Sequence, residues 1–230
     1  MNRFVALAAL CAALSPLAAR AAEPKTEEEK TLYALGVIMG GRLKGLNLTE
    51  KDMKLVEDGF MDSALGKKEK VSLETYGPKV DAFAQSRQNA GAEKEKKAGL
   101  AYADKCAKES GAKKFDVDLG GGKKSFFVYK ETAPGSGASP AATDKVKVNY
   151  EGKLPDGTVF DASAKHGGPA EFPLNGVIKC WTEGVQKMKV GAKATLTCPS
   201  DVAYGDRGHP PSIPGGATLQ FNVELVAITK

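Results

Sequence analysis

The chain has 230 residues, 42% of them hydrophobic, a length and composition that allow one or two domains with a real core. Its 33 basic and 28 acidic side chains give a formal charge of +5 and are interleaved along the chain. No concentrated basic face of the kind nucleic acid requires is present, so a nucleic-acid-binding role is set aside.

The first stretch is read as separate from the core. Asn2 and Arg3 form a short basic start, Phe4 to Leu14 is an uncharged apolar run, and small residues lead to Ala19-Arg20-Ala21. This is the layout of a secretory signal peptide with a cut before Ala22. Arg20 arrives too soon for a membrane span, which needs about 20 apolar residues. Leu10 is too large to precede a lipidated Cys11. Residues 1–21 are therefore expected to be removed on export, and with Arg3 and Arg20 gone the formal charge falls from +5 to +3.

Residues 22–115 are expected to form a helical domain. Glu27 to Leu43 repeats Leu32, Leu35, Gly36, Met39 and Leu43 at helical spacing. Thr49 is a candidate N-cap with Asp52 three residues on, ahead of a helix carrying Met53, Val56, Phe60, Ala64 and Leu65 along one side. From Pro78, which suits a first helical turn, to Ser110 the chain is rich in Ala, Glu, Lys and Gln. That segment would reach roughly 50 Å as a helix. It reads as a solvated spacer, with Gly91 and Gly99 each costing about 1 kcal/mol of helix propensity. The two shorter helices bury little surface within one chain, so a homodimer through this half is expected.

Residues 116–230 are expected to form a second domain. After Gly120-Gly121-Gly122 the texture turns to strands and tight turns, beginning with the aromatic and β-branched run Ser125 to Lys130. A loop from Thr132 to Thr143 follows, and then Lys145 to Glu151 alternates strictly, with Val146, Val148 and Tyr150 on one face. Pro155-Asp156-Gly157 is a turn, since Pro presets one backbone angle and Gly accepts a positive one. Thr158 to Asp161 returns as a strand. Ala194, Leu196 and Cys198 share a face in another, and Leu219, Phe221, Val223 and Leu225 do so in the last. One short helix holds Trp181, Val185 and Met188. The pattern predicts an α+β domain: an antiparallel sheet wrapped over a single helix.

This half has no recognisable nucleophile elbow, and its glycine run lacks the Gly-Lys-Ser/Thr of a phosphate loop. No two cysteines share a close spacing and His166 and His209 complete no ligand pattern, so neither a metal nor a cofactor is expected. What remains is a set of aromatics with a few polar groups, each of which taken singly is more often ordinary core.

Their order is more informative. Val148-Asn149-Tyr150-Glu151-Gly152 is followed by Asp156-Gly157-Thr158-Val159-Phe160-Asp161 and by Val177-Ile178-Lys179-Cys180-Trp181. Ala203-Tyr204-Gly205 and Ala217 to Leu225 come next. Across about residues 125–230 these strings resemble the FK506-binding protein (FKBP) family of peptidyl-prolyl cis/trans isomerases. The helical half resembles the dimerisation region of the exported two-domain members, the macrophage infectivity potentiator and FkpA type.

The resemblance implies a half-open barrel with an apolar pocket for a proline ring and homodimerisation through the N-terminal helices. It also implies proline-containing exported proteins as substrates, in the periplasm or at the outer surface of a Gram-negative bacterium, and macrolide inhibitors of the FK506 or rapamycin kind. Trp181 would be the pocket floor, and Tyr150, Phe160, Phe172, Val177, Ile178 and Phe221 its walls. Asp161 and Tyr204 would supply polar contacts, Tyr204 as donor to a substrate carbonyl. His209 and Ile213 would lie in the overhanging loop. Two positions depart from the family pattern: Ala170 stands where an aromatic is frequent, and Cys180 where glycine is common before the tryptophan.

The chemistry needs no nucleophile. Resonance sets a barrier of about 18–20 kcal/mol to peptide rotation, and uncatalysed X–Pro exchange takes tens to hundreds of seconds. The twisted transition state has lost the charge separation of the planar amide, so a dry aromatic pocket favours it and one donor can add to the preference. A chaperone using the same cradle with little turnover is the competing reading.

Export leaves Cys106, Cys180 and Cys198 in an oxidising setting. Cys180 begins the helix and Cys198 lies on the inward face of a strand, so the two could meet at the roughly 4.4–6.8 Å Cα separation of a disulfide. The alternative is a pair of buried free thiols.

Overall fold

The computed structural model describes residues 23–229; the expected signal peptide and Cys11 lie outside them. Two units can be distinguished, divided after Met39.

Helix α1 runs over Glu27–Leu43, the span read from its periodicity, with Glu27, Glu28 and Glu29 in its first turn where the helix dipole favours acids. Its Leu32, Leu35, Val37 and Ile38 are more than half exposed. Helix α2, Glu50–Ala64, starts at the expected cap: the Thr49 hydroxyl accepts from Asp52 N and the Asp52 carboxylate accepts from Thr49 N, a complete capping box.

Helix α3, Leu73–Ala107, corrects the sequence reading in two ways. Ser72 caps it by accepting from Thr75 N, so the helix begins five residues before Pro78, which falls inside rather than in the first turn. Its C-terminal half is also not a solvated spacer. Ala92, Gly99, Ala103 and Cys106 are buried, at a spacing of seven, four and three residues that lines up one helical face. Gly99 is needed there, because a Cβ would stand 2.3 Å from Oγ1 of Thr218. The gap in the side-chain row thus serves close packing and offsets the propensity cost.

The sheet comprises β1 (Ala112–Gly120), β2 (Lys123–Ala133), β3 (Lys145–Lys153), β4 (Val159–Ala162), β5 (Ala170–Pro173), β6 (Lys193–Cys198) and β7 (Leu219–Thr229). All pairings are antiparallel, in the order β1-β2-β6-β7-β3-β4, with β5 also paired to β3. It starts at Ala112, ahead of the expected boundary at 116. Strand β1 lies ahead of the first strand expected from the sequence, and its Phe115, Val117 and Leu119 alternate toward the core. Strand β5, four residues long, is a second addition to the strands expected from the sequence.

Helix α4, Lys179–Val185, packs on the sheet through Cys180, Trp181, Gly184 and Val185, all buried. Met188, expected on the same helix, lies beyond its end but is fully buried in the same core. Opposite α4, Ala194, Leu196 and Cys198 pair in register with Val223, Phe221 and Leu219, placing both inward rows under the helix. Cys180 and Cys198 are joined by a disulfide with a Cα separation of 5.8 Å; Cys106 is free and buried.

Candidate active site

Strand β3 changes partners along one edge. Lys145 to Val148 pair with β5, and Glu151 to Lys153 pair with β4. Tyr150 stands in the gap, where its N–H donates to Ser163 Oγ at 3.1 Å. The alternation that buries Val146 and Val148 completely carries the Tyr150 ring inward at this opening, half-buried.

The Trp181 ring is 4% exposed and is met edge-on by three others. Tyr150 lies at 5.5 Å between centroids and 82°, Phe172 at 5.8 Å and 90°, and Phe221 at 5.3 Å and 82°. Phe160 from β4 stands edge-on to Phe221 at 5.6 Å. Edge-to-face contacts of this kind set the positive rim of one ring against the negative face of another and hold the walls at fixed angles. Gly152 makes room for them, since a Cβ there would fall 2.5 Å from the Phe160 ring and 2.9 Å from that of Phe221.

Val177 and Ile178 are half-buried against the same cluster, at the entrance to α4. The Thr182 hydroxyl donates to Leu174 O at 2.6 Å and Trp181 N to Ile178 O at 2.9 Å, which pins the start of the helix and the direction of the indole. The indole N–H is buried without a partner among the described residues. The floor of the cradle therefore carries one polar group in an otherwise apolar surface.

One carboxylate organises the polar side. Asp161 Oδ2 accepts from the Tyr150 hydroxyl at 2.6 Å, while Oδ1 accepts from Ala162 N at 2.8 Å and lies 2.8 Å from His166 Nε2. Burial opposes ionisation of Asp161, but the bonds from Tyr150, His166 and Ala162 N outweigh it and hold the pKa below its ordinary 3.8. Tyr150 is pushed upward by burial first and then by its bond to that carboxylate. Tyr204, 39% exposed, is raised by burial and by the charge of Asp161. Both phenols therefore stay protonated near neutral pH and remain donors.

Tyr204 lies between two 3₁₀ turns, Ser200–Val202 and Gly205–Arg207. Its ring is 5.5 Å from that of His209. His209 and Ile213 exchange backbone hydrogen bonds of 2.8 and 2.9 Å, closing a short loop. Ile213, expected in the overhang, is 4% exposed and tucked into the core, so it anchors the loop.

The structure thus joins Tyr150, Phe160, Asp161, Phe172, Trp181 and Phe221 in one continuous set of contacts. Val177 and Ile178 pack beside it, and Tyr204 lies within electrostatic reach of Asp161. Sequence reasoning missed His166, Ser163 and Gly152. Gly152 and Ser163 sit within or beside the quoted strings, but neither residue type announces its role. His166 carries no motif of its own, and its role comes from the contact with Asp161 that only the folded turn creates.

The antiparallel sheet over one helix thus presents an aromatic cradle bordered by the Asp161 carboxylate, which holds the Tyr150 hydroxyl, and by the protonated phenol of Tyr204. This is the arrangement of the peptidyl-prolyl isomerase class. Residues 137–226 match the FKBP-type peptidyl-prolyl cis-trans isomerase family, and residues 28–119 match the domain amino terminal to it. The chain is 38% identical over 230 residues to the FKBP-type peptidyl-prolyl cis-trans isomerase FkpA of Aeromonas hydrophila, covering 95% of this chain and 82% of that protein. It is 38% identical over 210 residues to the FKBP-type 22 kDa peptidyl-prolyl cis-trans isomerase of Escherichia coli, covering 88% of this chain and 96% of that protein. The crystal structure of FkpA from Escherichia coli superposes with a TM-score of 0.64 at 34% identity, covering 89% of this chain and 98% of that one. The chain belongs to the FKBP-type peptidyl-prolyl cis-trans isomerase family, in its two-domain form, and it is a peptidyl-prolyl cis-trans isomerase.

Proposed function

We propose that the proline ring of the substrate seats on Trp181 between Tyr150, Phe160, Phe172 and Phe221, with Val177 and Ile178 bordering its entry, and that Tyr204 donates to a substrate carbonyl. The observation that carries this is the trio of rings edge-on to Trp181, beside a carboxylate that fixes the Tyr150 hydroxyl. Asp161 acts as an orienting charge and takes no proton. The cradle excludes water from an amide that loses polarity as it twists, and the donor adds selective stabilisation of that twist. His209 borders the cradle through its contact with Tyr204. Macrolides of the FK506 or rapamycin kind would compete for the same surface, less tightly where Ala170 replaces an aromatic wall. A protease-coupled assay on Xaa-Pro tetrapeptides tests the assignment: wild type accelerates exchange, Trp181→Ala abolishes the acceleration, and activity persisting in that variant would overturn it.

Residues 1–21 are read as an export signal, residues 22 to about 111 as the helical domain and 112–230 as the isomerase domain, acting on proline-containing proteins outside the cytoplasm. Self-association as a homodimer is favoured by unpartnered apolar side chains. Leu32, Leu35 and Ile38 on α1 are exposed, as are Leu55, Phe60 and Leu65 in and after α2. Leu73, Tyr76, Val80 and Phe83 extend the pattern along the first half of α3 at intervals of three, four and three residues. The proposed dimer surface therefore includes the first half of α3 as far as Phe83. The same surfaces also support a chaperone role beside catalysis, by holding unfolded segments near the cradle.

A further inference from the structure

We propose that Lys96, on the helical arm and outside the isomerase sheet, is a positioning residue for isomerisation: it clamps the two turns that flank Tyr204. The inference rests on the reading of Tyr204 as the rim donor.

Lys96 lies on the docked face of α3, between buried Ala92 and Gly99. Its Nζ is 2.5 Å from Oδ1 of Asp201 and 4.0 Å from Oδ1 of Asp206. Asp201 belongs to the turn Ser200–Val202 and Asp206 to the turn Gly205–Arg207, so one ammonium spans both sides of Ala203-Tyr204. The Lys96 and Asp201 side chains are each only a third exposed. Their hydrogen bond outweighs burial and holds the ammonium above its ordinary value, so Lys96 is charged at any physiological pH.

The arm also closes on the far end of the same loop. Gly216 donates from its N–H to Gly205 O at 2.9 Å, tying the segment back beside Tyr204. Gly216 lies so close to α3 that a Cβ would collide with the carbonyl of Ala92. Gly215 faces the same helix, where a Cβ would stand 3.3 Å from the Ala92 methyl. Both ends of the segment carrying Tyr204, His209 and Ile213 therefore rest on α3. Within the isomerase domain this segment is irregular, with two 3₁₀ turns and one isolated bridge. Irregular backbone held by few ladder bonds takes its position from what it leans on.

The test is a double-mutant cycle on the mature full-length chain, reading kcat/KM on an Xaa-Pro tetrapeptide. Lys96→Met is expected to lower kcat/KM roughly two- to fivefold, the size of a partly exposed charge pair acting through geometry. Lys96→Arg should recover most of the loss, and Asp201→Asn should reproduce it without adding to Lys96→Met. In a Tyr204→Phe background, Lys96→Met should cost nothing further, because the hydroxyl it positions is gone. A purely structural Lys96 would lower thermal stability and act equally in both backgrounds. Wild-type kcat/KM in Lys96→Met, or a loss undiminished beside Tyr204→Phe, overturns the proposal. An inert Tyr204→Phe with active-site loss in Trp181→Ala would instead refute the donor role while leaving the cradle intact.

Discussion

At the scale of single residues, the site separates shape from polarity. Trp181 supplies shape, since it touches three rings and fills the centre of the cluster. Trp181→Ala should cost about 3–5 kcal/mol of stability as well as activity, measured by denaturant melts beside the kinetic assay. Tyr204→Phe removes one hydroxyl from a 39% exposed ring, so it should lower kcat/KM with little change in melting temperature. Asp161 links the two properties through pH. Its folded pKa lies below 3.8, so its bonds to Tyr150, His166 and Ala162 stabilise the fold above the unfolded value. That contribution is lost as the pH falls through the depressed folded value. Acid titration of Asp161→Asn against wild type should therefore show a stability difference at neutral pH that shrinks in acid. A constant gap down to pH 2 would mean the carboxylate is not held by those bonds.

At the scale of elements, the sequence made periodic segments readable and left close-packed or short ones obscure. Helix α1 and the α2 capping box follow from spacing and from Thr49 with Asp52, because helix periodicity and caps are local properties. The inward rows of β3, β6 and β7 follow from alternation for the same reason. The docked face of α3 escaped because it is built from Ala92, Gly99, Ala103 and Cys106, small residues that carry almost no hydropathy signal. Its burial depends on a partner surface at Thr218 and Gly216, more than a hundred residues away in sequence. Strand β1 was hidden by lysines and aspartates on its outer face, and β5 is only four residues long. In the site, the aromatics were legible through their motifs, whereas the hydrogen bond that recruits His166 crosses a turn that spacing alone does not fold. The disulfide joins elements whose meeting was foreseeable only once the helix was placed on the sheet. Cys180 and Cys198 are both fully buried and enclose a sequence separation of 18. Chain-entropy reasoning gives about 3 kcal/mol for a loop of that size. Reduction should lower the melting temperature more than it lowers activity, and peptide mapping without reductant should recover the two cysteines linked. Full alkylation of both under those conditions would remove the bridge from the account.

At the scale of the whole molecule, the docking of α3 alters where the isomerase domain can be cut. A fragment starting at residue 116 would retain the aromatic cradle but lose Phe115, whose ring stacks on Phe127 at 5.4 Å and meets Tyr129 at 6.3 Å. It would also lose Ala92, Lys96, Gly99, Ala103 and Cys106, exposing Thr218 and the outer side of the Tyr204 segment. A fragment of residues 88–230 keeps all of these and omits Leu73, Tyr76, Val80 and Phe83, the exposed apolar row of the arm. The longer fragment is expected to be monomeric, cooperative in unfolding and close to the full chain in kcat/KM on short peptides. The 116–230 fragment should melt lower and turn over more slowly, since both the first strand and the brace of the rim loop are gone. The full mature chain should sediment as a dimer at micromolar concentration. Sedimentation velocity and the peptide assay on the three proteins decide the matter together. A dimeric 88–230 fragment would place the interface on the isomerase side of α3, and equal melting temperatures for the two fragments would mean the docked helix contributes nothing to the domain it covers.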